Sequence, residues 1–410
     1  MKLACVVHRY GADIAGGSEA HCRQFAERLS VRHDVTVLTT CAKDYVTWAN
    51  AYPAGASRIN GVNVVRFPVR RPRRLKAFAD LSDEVFDTRA SAERQEAWFR
   101  ENGPDTPALL DHLRAHGTEY DLVIFWSYRY YPAYFGVPIV AERAVLVPTA
   151  EEDPAIDLDV LEDYFKKPAG YLFLTPEEED LVSRRAGRRL APAAIVGAGL
   201  EPVGATTTRA NVVPDPGPRI PDPVLLYLGR VDRNKGCHTL FEYFEQHLAE
   251  GGGDATLVLA GPAKIPIPSH PRIKALGFVD DATRDALLAR ARALVVPSPY
   301  ESLSIALLEG WNHGVPALVN GACAVLAGQA RRANGGLSYR SAKEFSAGLD
   351  WLLAHEREAR IIGTQGRAYV DREYRWPVVM ARVEALLELV AAARGTRRDH
   401  VSTPLSSTGA

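Results

Sequence analysis

Residues 295–321 read VVPSPYESLSIALLEGWNHGVPALVNG. A short apolar run ends at Pro297, a helix-like segment follows, and a second apolar run, PALVN, comes next. This order of strand, helix and strand is the unit from which parallel sheets are built. Glu301 and Glu309 enclose seven residues without charge. The two carboxylates therefore bracket a helix that the sequence predicts to be largely apolar.

The same alternation extends along the whole chain. Further strand candidates are KLACVV, DVTVLTT, VNVVRF, DLVIFW, AVLVP, YLFLT, PVLLYLG, ATLVLAG and IKALGFV. Residues 76–116 have the spacing of helices, and residues 202–223 are rich in Pro, Gly and Thr without periodicity, as in a linker. We therefore predict an α/β fold of two Rossmann-like, doubly wound parallel-sheet domains that face each other across a cleft.

The predicted boundaries follow from these patterns. An N-terminal domain is expected over 1–202, a linker over 203–223 and a C-terminal domain over 224–374. A long amphipathic helix is expected over 375–394, and a disordered tail over 395–410.

Composition narrows the classes of function. The chain has 410 residues, 47% hydrophobic and 24% charged, with a net charge of −1, so nothing global suggests a nucleic-acid-binding protein. Five scattered cysteines without a CxxC pair favour a reducing compartment and argue against a zinc site. No run approaches the ~18 apolar residues of a membrane span. We expect a cytoplasmic protein, and docking on the inner face of a membrane stays open.

The stretch GGSEA, residues 16–20, lies between a predicted strand and a predicted helix. Gly16 and Gly17 would let the backbone approach a ligand closely, and a helix start presents unpaired N–H groups and a positive dipole end. An anion such as a diphosphate suits this place. The alternative is a glycine turn with Ser18 capping the helix.

The stretch LGRVDRNKG, residues 228–236, follows a strong strand and precedes a helix. Arg230 and Lys235 would place two cations beside a helix N-terminus, where a diphosphate can be held and its leaving charge stabilised. The alternative is a solvated loop with two ordinary surface cations.

Glu309 lies within an otherwise apolar helix. A buried carboxylate needs hydrogen-bond donors, and sugar hydroxyls are suitable donors. The alternative is that Glu301 is a helix-start acid and that Glu309 points to solvent.

Together, GGSEA, LGRVDRNKG and PSPYESLSIALLEGWNHGVPALVNG resemble the family-four retaining glycosyltransferases of the GT-B fold. The resemblance extends to about residue 393, is strongest over 224–340 and is weaker over 40–200. It implies an enzyme of polysaccharide or glycolipid biosynthesis that transfers a sugar, with retention, from a nucleotide-diphosphate sugar. The acceptor would be a saccharide, a lipid-linked molecule or a small molecule, and neither a metal nor another cofactor is implied.

The resemblance also implies roles for phosphate-binding residues. The backbone of Gly16 and Gly17 would approach the donor phosphates, and Arg230 and Lys235 would grip the diphosphate. Because these cations and a helix N-terminus can neutralise the leaving group, no metal is needed. The family's course is same-face attack, in which the leaving phosphate takes the acceptor's proton, so no protein nucleophile is required.

The remaining donor contacts follow in the same way. Glu301 would lie against the hydroxyls of the donor sugar and, with the two cations, form the catalytic set. Glu309 would hold the ribose, and the backbone at Phe278 and Val279 would hold the base. The helix after residue 375 would cross back onto the N-terminal domain.

The chain departs from the family pattern at two places. Many members of the family have a Gly-Phe-Gly run after the first glutamate, where this chain has Ser302-Leu303-Ser304. The backbone of Leu303 and Ser304 would still help to bind the distal phosphate. The substitution changes how closely that phosphate can approach the helix start. The family's acceptor-side histidine has no match after DLVIFW or AVLVP. Tyr128 and Glu151 are the acceptor-side candidates instead.

Several alternatives stay open. The Asp-x-Asp at 157–159 favours a solvated acidic face over a metal site. The basic segment 66–76 is either a solvated segment or a contact with an anionic membrane surface or a lipid-diphosphate acceptor. Other readings of the whole chain are a GT-B-fold epimerase or phosphorylase, or a nucleotide-sugar binder without activity.

Overall fold

The computed structural model describes residues 1–14, 16–204 and 220–401, with the backbone alone from 395 onward. The chain divides into two compact units. The first comprises Met1–Val196 with Met380–Ala410, and the second comprises Gly197–Val379.

The domain limits differ in places from the predicted ones. Residues 197–202 group with the second unit instead of the first. Most of the predicted linker, residues 205–219, lies outside the described residues, as do residues 402–410 of the predicted tail.

The first unit is built on an eight-stranded sheet. Its strands are β1 (Lys2–Val6), β2 (Asp34–Thr40), β3 (Gly55–Ile59), β4 (Val62–Phe67), β5 (Leu122–Trp126), β6 (Ala144–Val147), β7 (Gly170–Phe173) and β8 (Ala193–Ile195). They lie in the order β3-β4-β2-β1-β5-β6-β7-β8, and every neighbouring pair is parallel except β3 with β4. The predicted parallel sheet is confirmed, with one antiparallel strand at its edge.

Helices follow or precede these strands as the alternation predicts. They are α1 (Gly17–Leu29), α2 (Leu75–Asp87), α3 (Ala92–Asn102), α4 (Pro107–His116), α5 (Tyr131–Gly136), α6 (Val160–Tyr164) and α7 (Pro176–Arg185). The predicted helical character of residues 76–116 is confirmed by α2, α3 and α4. Strands β5 and β6 are buried along their full length, as expected for central strands of a sheet covered on both faces.

The second unit is built on a six-stranded sheet that is parallel throughout. Its strands are β9 (Val224–Leu228), β10 (Thr256–Ala260), β11 (Ile273–Gly277), β12 (Ala293–Val296), β13 (Ala317–Asn320) and β14 (Gly336–Tyr339). Its helices are α8 (Cys237–Ala249), α9 (Asp281–Arg290), α10 (Ile305–Asn312), α11 (Ala324–Ala333), α12 (Ala342–Ala354) and α13 (Glu356–Glu373). The strand order β11-β10-β9-β12-β13-β14 is that of the doubly wound nucleotide-binding fold.

The last helix, α14 (Trp376–Val401), runs seven residues past the predicted helix end at residue 394. Residues 395–401, which the sequence assigned to a disordered tail, are therefore helical. Within the first unit, a Glu384 carboxylate oxygen lies 2.7 Å from His33 Nε2, and the Arg394 guanidinium donates to the Asp121 carbonyl. Over the described ranges, none of the helices combines the length and the apolar character needed to cross a bilayer.

In both sheets the order of the parallel strands reverses beside the first strand. In the first unit this point lies between β1 and β5, and in the second it lies between β9 and β12. Ligands of such sheets bind outside the carboxyl ends of the strands at this point. The loop 229–236 leaves β9 and the loop 297–304 leaves β12, so two of the predicted motifs flank the reversal in the second unit.

Three strands have no counterpart among the sequence candidates: β3, β8 and β14. All three lie at an edge of their sheet. An edge strand is covered less completely than a central one, so it needs no continuous apolar run; four of the five residues of β3 are exposed.

Candidate functional site

The loop from β9 to α8 is shaped by glycine and by Asp232. Gly236 has φ of 72°, and a Cβ there would lie 2.3 Å from the Pro297 carbonyl oxygen at the end of β12, so only glycine fits. Asp232 Oδ1 accepts the Lys235 backbone N–H at 2.8 Å, and its Oδ2 is paired with Arg230 Nε. One buried carboxylate therefore fixes both the turn that carries Lys235 and the side chain of Arg230.

Lys235 and Glu301 meet across the reversal of strand order in the second unit. Lys235 Nζ lies 2.9 Å from Glu301 Oε1, and only 10% of the Glu301 side chain is exposed. The two residues are 66 positions apart in sequence. The fold thus brings together a cation and a carboxylate that the sequence placed in separate motifs.

The helix after Glu301 begins as the sequence predicts. Ser304 is the N-cap residue of α10, and its Oγ accepts the Leu307 N–H at 3.4 Å. Leu303 is buried. The first turn of α10 carries the partial positive charge of a helix N-terminus beside the loop that holds Glu301.

Glu309 lies one helical turn from the end of α10, with 24% of its side chain exposed. Its Oε1 is 3.4 Å from a terminal nitrogen of Arg284 on α9. Burial raises the pKa of the Glu309 carboxyl, and the Arg284 guanidinium opposes that rise. The carboxylate that the sequence singled out therefore has a cationic partner that the sequence did not reveal.

Phe278 and Val279 follow the carboxyl end of β11. Gly277 has φ of 69°, and its carbonyl accepts the Gly261 N–H at 2.7 Å, which ties the end of β11 to the end of β10. Phe278 is 79% exposed, a large apolar surface at the same edge of the sheet as the two loops described above.

In the first unit, Gly16 and Gly17 lie at the start of α1, and Gly16 is its N-cap residue. A Cβ on Gly16 would lie 2.2 Å from Glu19 Oε2, so any larger residue here would displace the Glu19 carboxylate. Ser18 does not cap the helix, because it lies in the first turn and its hydroxyl donates to Glu19 Oε2 at 2.9 Å.

Glu19 is the centre of a buried ionic cluster at the carboxyl end of β1. Its Oε1 lies 2.9 Å from His8 Nε2 and accepts the Arg9 Nε–H at 2.9 Å. Burial alone would raise the pKa of the Glu19 carboxyl, but the His8 ring and the Arg9 guanidinium hold it well below its usual range. The His8 ring packs on Tyr130, which follows β5, with ring centroids 3.9 Å apart.

The two acceptor-side candidates occupy different environments. Tyr128 is buried in the core of the first unit, and its hydroxyl has no hydrogen-bond partner in the described part of the chain; burial raises its pKa. This burial weighs against an acceptor-side role for Tyr128, which stays a prediction. Glu151 is half-buried, with Oε2 4.0 Å from Arg129, which also pairs with Asp153 at 2.6 Å. Glu151 keeps the accessibility that an acceptor-side role requires.

The basic segment 66–76 is largely engaged within the first unit. Four of its arginines bond to the end of α3 and the residues after it: Arg70 to Asp105, Arg71 and Arg74 to Glu101, and Arg73 to Asn102. The ion pairs with Asp105 and Glu101 lower the net positive charge that the segment presents. They weaken the case for a membrane contact, which stays a prediction.

Three functional candidates were missed at the sequence level. Asp232 stands between the two cations of its loop, and an Asp three residues before a loop N–H is a recognisable turn signal. His8 follows the first strand, where the carboxyl-end rule places ligand-facing residues. Arg284 carried no signal, because its partner is set by how α9 packs beside α10.

The second unit carries the sequence similarity. Residues 222–355 match the model of the family Glycosyl transferases group 1. Arg230, Lys235, Glu301 and Glu309 all lie within this glycosyl transferases group 1 segment. Comparison with curated protein sequences found no significant match.

Solved structures are similar over nearly the whole chain. Sucrose-phosphate synthase from Thermosynechococcus elongatus is 18% identical, with a TM-score of 0.69, and the match covers 96% of this chain and 100% of that one. The α,α-trehalose 6-phosphate synthase from Burkholderia multivorans is 15% identical, with a TM-score of 0.70 and the same coverage. HepE from Anabaena, in complex with UDP and glucose, is 13% identical, with a TM-score of 0.65 over 95% of this chain and 99% of that one. At these identities the likeness shows the fold, and it confirms the predicted GT-B class.

Proposed function

We propose that the protein transfers a glycosyl group from a nucleoside-diphosphate sugar to a hydroxyl of a saccharide, lipid-linked or small-molecule acceptor. The observation that carries the proposal is the Lys235–Glu301 pair, which lies where the strand order of a doubly wound nucleotide-binding sheet reverses. The glycosyl transferases group 1 segment contains both residues. Structural neighbours bound to UDP or UDP-glucose support a nucleotide-sugar donor.

Each residue has a role that fits its environment. Lys235 and Arg230 neutralise the diphosphate, with the N-terminus of α10 beside them. Glu301 accepts hydrogen bonds from hydroxyls of the donor sugar, and Glu309 accepts them from the ribose. Phe278 and Val279 contact the base. In the first unit, the N-terminus of α1 at Gly16 and Gly17 presents backbone N–H groups to a phosphate.

We propose further that transfer proceeds with retention of the anomeric configuration and without a metal. The leaving diphosphate is stabilised by two cations and a helix N-terminus, which supply the charge that a divalent metal supplies elsewhere. The acceptor attacks from the face that the diphosphate leaves, and a phosphate oxygen takes the acceptor's proton. The C1–O bond to the diphosphate breaks as the C1–O bond to the acceptor forms.

The donor is tested with a panel of nucleotide sugars. A ligand that binds the native state raises its stability by about 2.7 kcal/mol at 100 times its Kd, so the true donor should raise the unfolding temperature more than its relatives. The same donor should be hydrolysed slowly without an acceptor. If none of the nucleotides or nucleotide sugars raised the unfolding temperature, the proposal would be contradicted. Binding without turnover under any acceptor would favour an inactive binder, and conversion of the donor to a free epimer would favour an epimerase.

Metal independence and retention are tested on the same donor. Protein treated with EDTA is expected to keep most of its activity, because Arg230 and Lys235 supply the compensating charge. Proton NMR of the first-formed product should show the anomer of the donor. Loss of activity with EDTA that returns with Mg²⁺ or Mn²⁺ would contradict the first expectation, and the opposite anomer would contradict the second.

A further inference from the structure

Arg284 is the cation that faces Glu309, the carboxylate proposed to bind the ribose of the donor. It lies in the first half of α9, and a terminal nitrogen is 3.4 Å from Glu309 Oε1 on α10. The same nitrogen is 3.2 Å from Asp281, whose side chain is almost fully exposed. Glu309 is the more buried of these two partners. An ion pair gains most where water screens it least, so the contact with Glu309 is the one that matters energetically.

The carboxylate needs such a partner to act on a ribose. Vicinal hydroxyls are held well by an ionised carboxylate, because both of its oxygens then accept. A protonated carboxyl keeps a hydrogen on one oxygen and loses that capacity. Burial pushes the Glu309 pKa upward, toward the protonated form, and the Arg284 guanidinium is the group that opposes it.

We infer that Arg284 is a positioning residue of the ribose subsite: it holds the Glu309 carboxylate ionised and oriented toward both ribose hydroxyls. The consequence is specificity. Discrimination between ribonucleotide and 2′-deoxyribonucleotide donors depends on Arg284, although the guanidinium need not touch the ligand. The inference rests on the proposed function, in which Glu309 receives the ribose.

The charges around the pair set its response to pH. Asp281 and Asp285 on α9 both raise the Glu309 pKa, and His313, just after α10, lies 3.5 Å from Asp285. In wild type the Arg284 guanidinium opposes the effect of these acids. In Arg284→Met, burial and the two acids act without this opposing cation, so the ribose preference of the variant should be lost at a higher pH than that of wild type as the pH falls.

The test compares nucleotide pairs by calorimetry on the full chain. UDP and 2′-deoxy-UDP form one pair, and ADP and 2′-deoxy-ADP form the other, for wild type, Arg284→Met, Arg284→Lys and Glu309→Gln. Wild type is expected to bind the ribonucleotide of one pair about 10- to 100-fold more tightly than its 2′-deoxy counterpart, which is the effect of losing a hydrogen bond to a charged group. Arg284→Met and Glu309→Gln should each reduce the ratio of the two Kd values to about threefold or less. Arg284→Lys should retain part of the preference.

Arg290→Met is the matched control. Arg290 lies on the same helix, is also ion-paired, to Asp222, and has the same exposed fraction as Arg284, 32%. It should leave the ratio unchanged. If Arg284 only tied α9 to α10, its loss would weaken the binding of both nucleotides of a pair equally. An unchanged ratio of Kd values in Arg284→Met would therefore overturn this inference and leave the proposed function standing. If wild type bound neither UDP nor ADP, the same comparison is made with the nucleoside diphosphate of the best donor in the nucleotide-sugar panel. If wild type bound no nucleoside diphosphate at all, the proposed function would fail first.

Discussion

Replacement of Lys235 by alanine is expected to lower turnover at least about 100-fold. Removal of one charged contact to developing negative charge typically costs two to three orders of magnitude in kcat. Lys235 has a second role that adds to the loss, since its Nζ is the partner of the mostly buried Glu301 carboxylate at 2.9 Å. Without it, Glu301 would face the donor as an uncompensated anion. The measurement is kcat and KM for the best donor, under saturating acceptor.

The split between the two constants is informative. The ammonium acts on charge that grows as the diphosphate leaves, so the fall should appear mainly in kcat. Lys343→Ala is a suitable control, because Lys343 is an exposed residue of α12 in the same unit. A Lys235→Ala protein that melts like wild type and keeps near-normal turnover would remove Lys235 from the site. A rise in KM alone would assign it to ground-state binding.

The sequence predicted the central strands and the motifs at their carboxyl ends because each rests on a local signal. Continuous apolar runs mark β1, β5, β9 and β12, and polar loops with glycine mark the turns that follow. The edge strands β3, β8 and β14 lacked such runs and were missed. The pairing of Lys235 with Glu301 required one further fact, the adjacency of β9 and β12, which the strand order supplies.

Other features had no local signal. Ser127 adopts φ of 64°, a left-handed conformation that non-glycine residues seldom take, and the next residue, Tyr128, is buried in the core. The partners of Glu309 and Glu19 depend on which helix face packs against which neighbour. Such contacts are decided by tertiary packing. A sequence motif can therefore identify the carboxylate but not the cation that pairs with it.

Replacement of Glu19 by glutamine is the second large effect that we expect, and it concerns stability. Glutamine keeps the size of the side chain but removes the charge that serves both His8 and Arg9, and the Glu19 side chain is only 5% exposed. Loss of one partner of a buried ion pair costs about 3 kcal/mol. Native-state hydrogen exchange of peptides from β1 and α1 should therefore become about 100-fold faster.

Glu27→Gln provides the control on the same helix. Glu27 is more exposed than Glu19, and its contact with Arg23, at 4.0 Å, is the kind of surface pair that contributes little. Exchange in Glu27→Gln should stay within a fewfold of wild type. If Glu19→Gln also stayed within that range, the ionic cluster would not hold β1 to α1.

The pH dependence separates the charge of Glu19 from its shape. The folded-state pKa of this carboxyl is depressed below its unfolded value of about 4.3, so its stabilisation is present above that pH and is lost as the pH falls. Glutamine does not titrate. The difference in exchange rate between wild type and Glu19→Gln should therefore be widest above about pH 5 and should narrow under more acidic conditions. A difference that stayed constant down to acidic pH would mean that the carboxylate stabilises the start of α1 by its hydrogen-bonding shape instead of its charge.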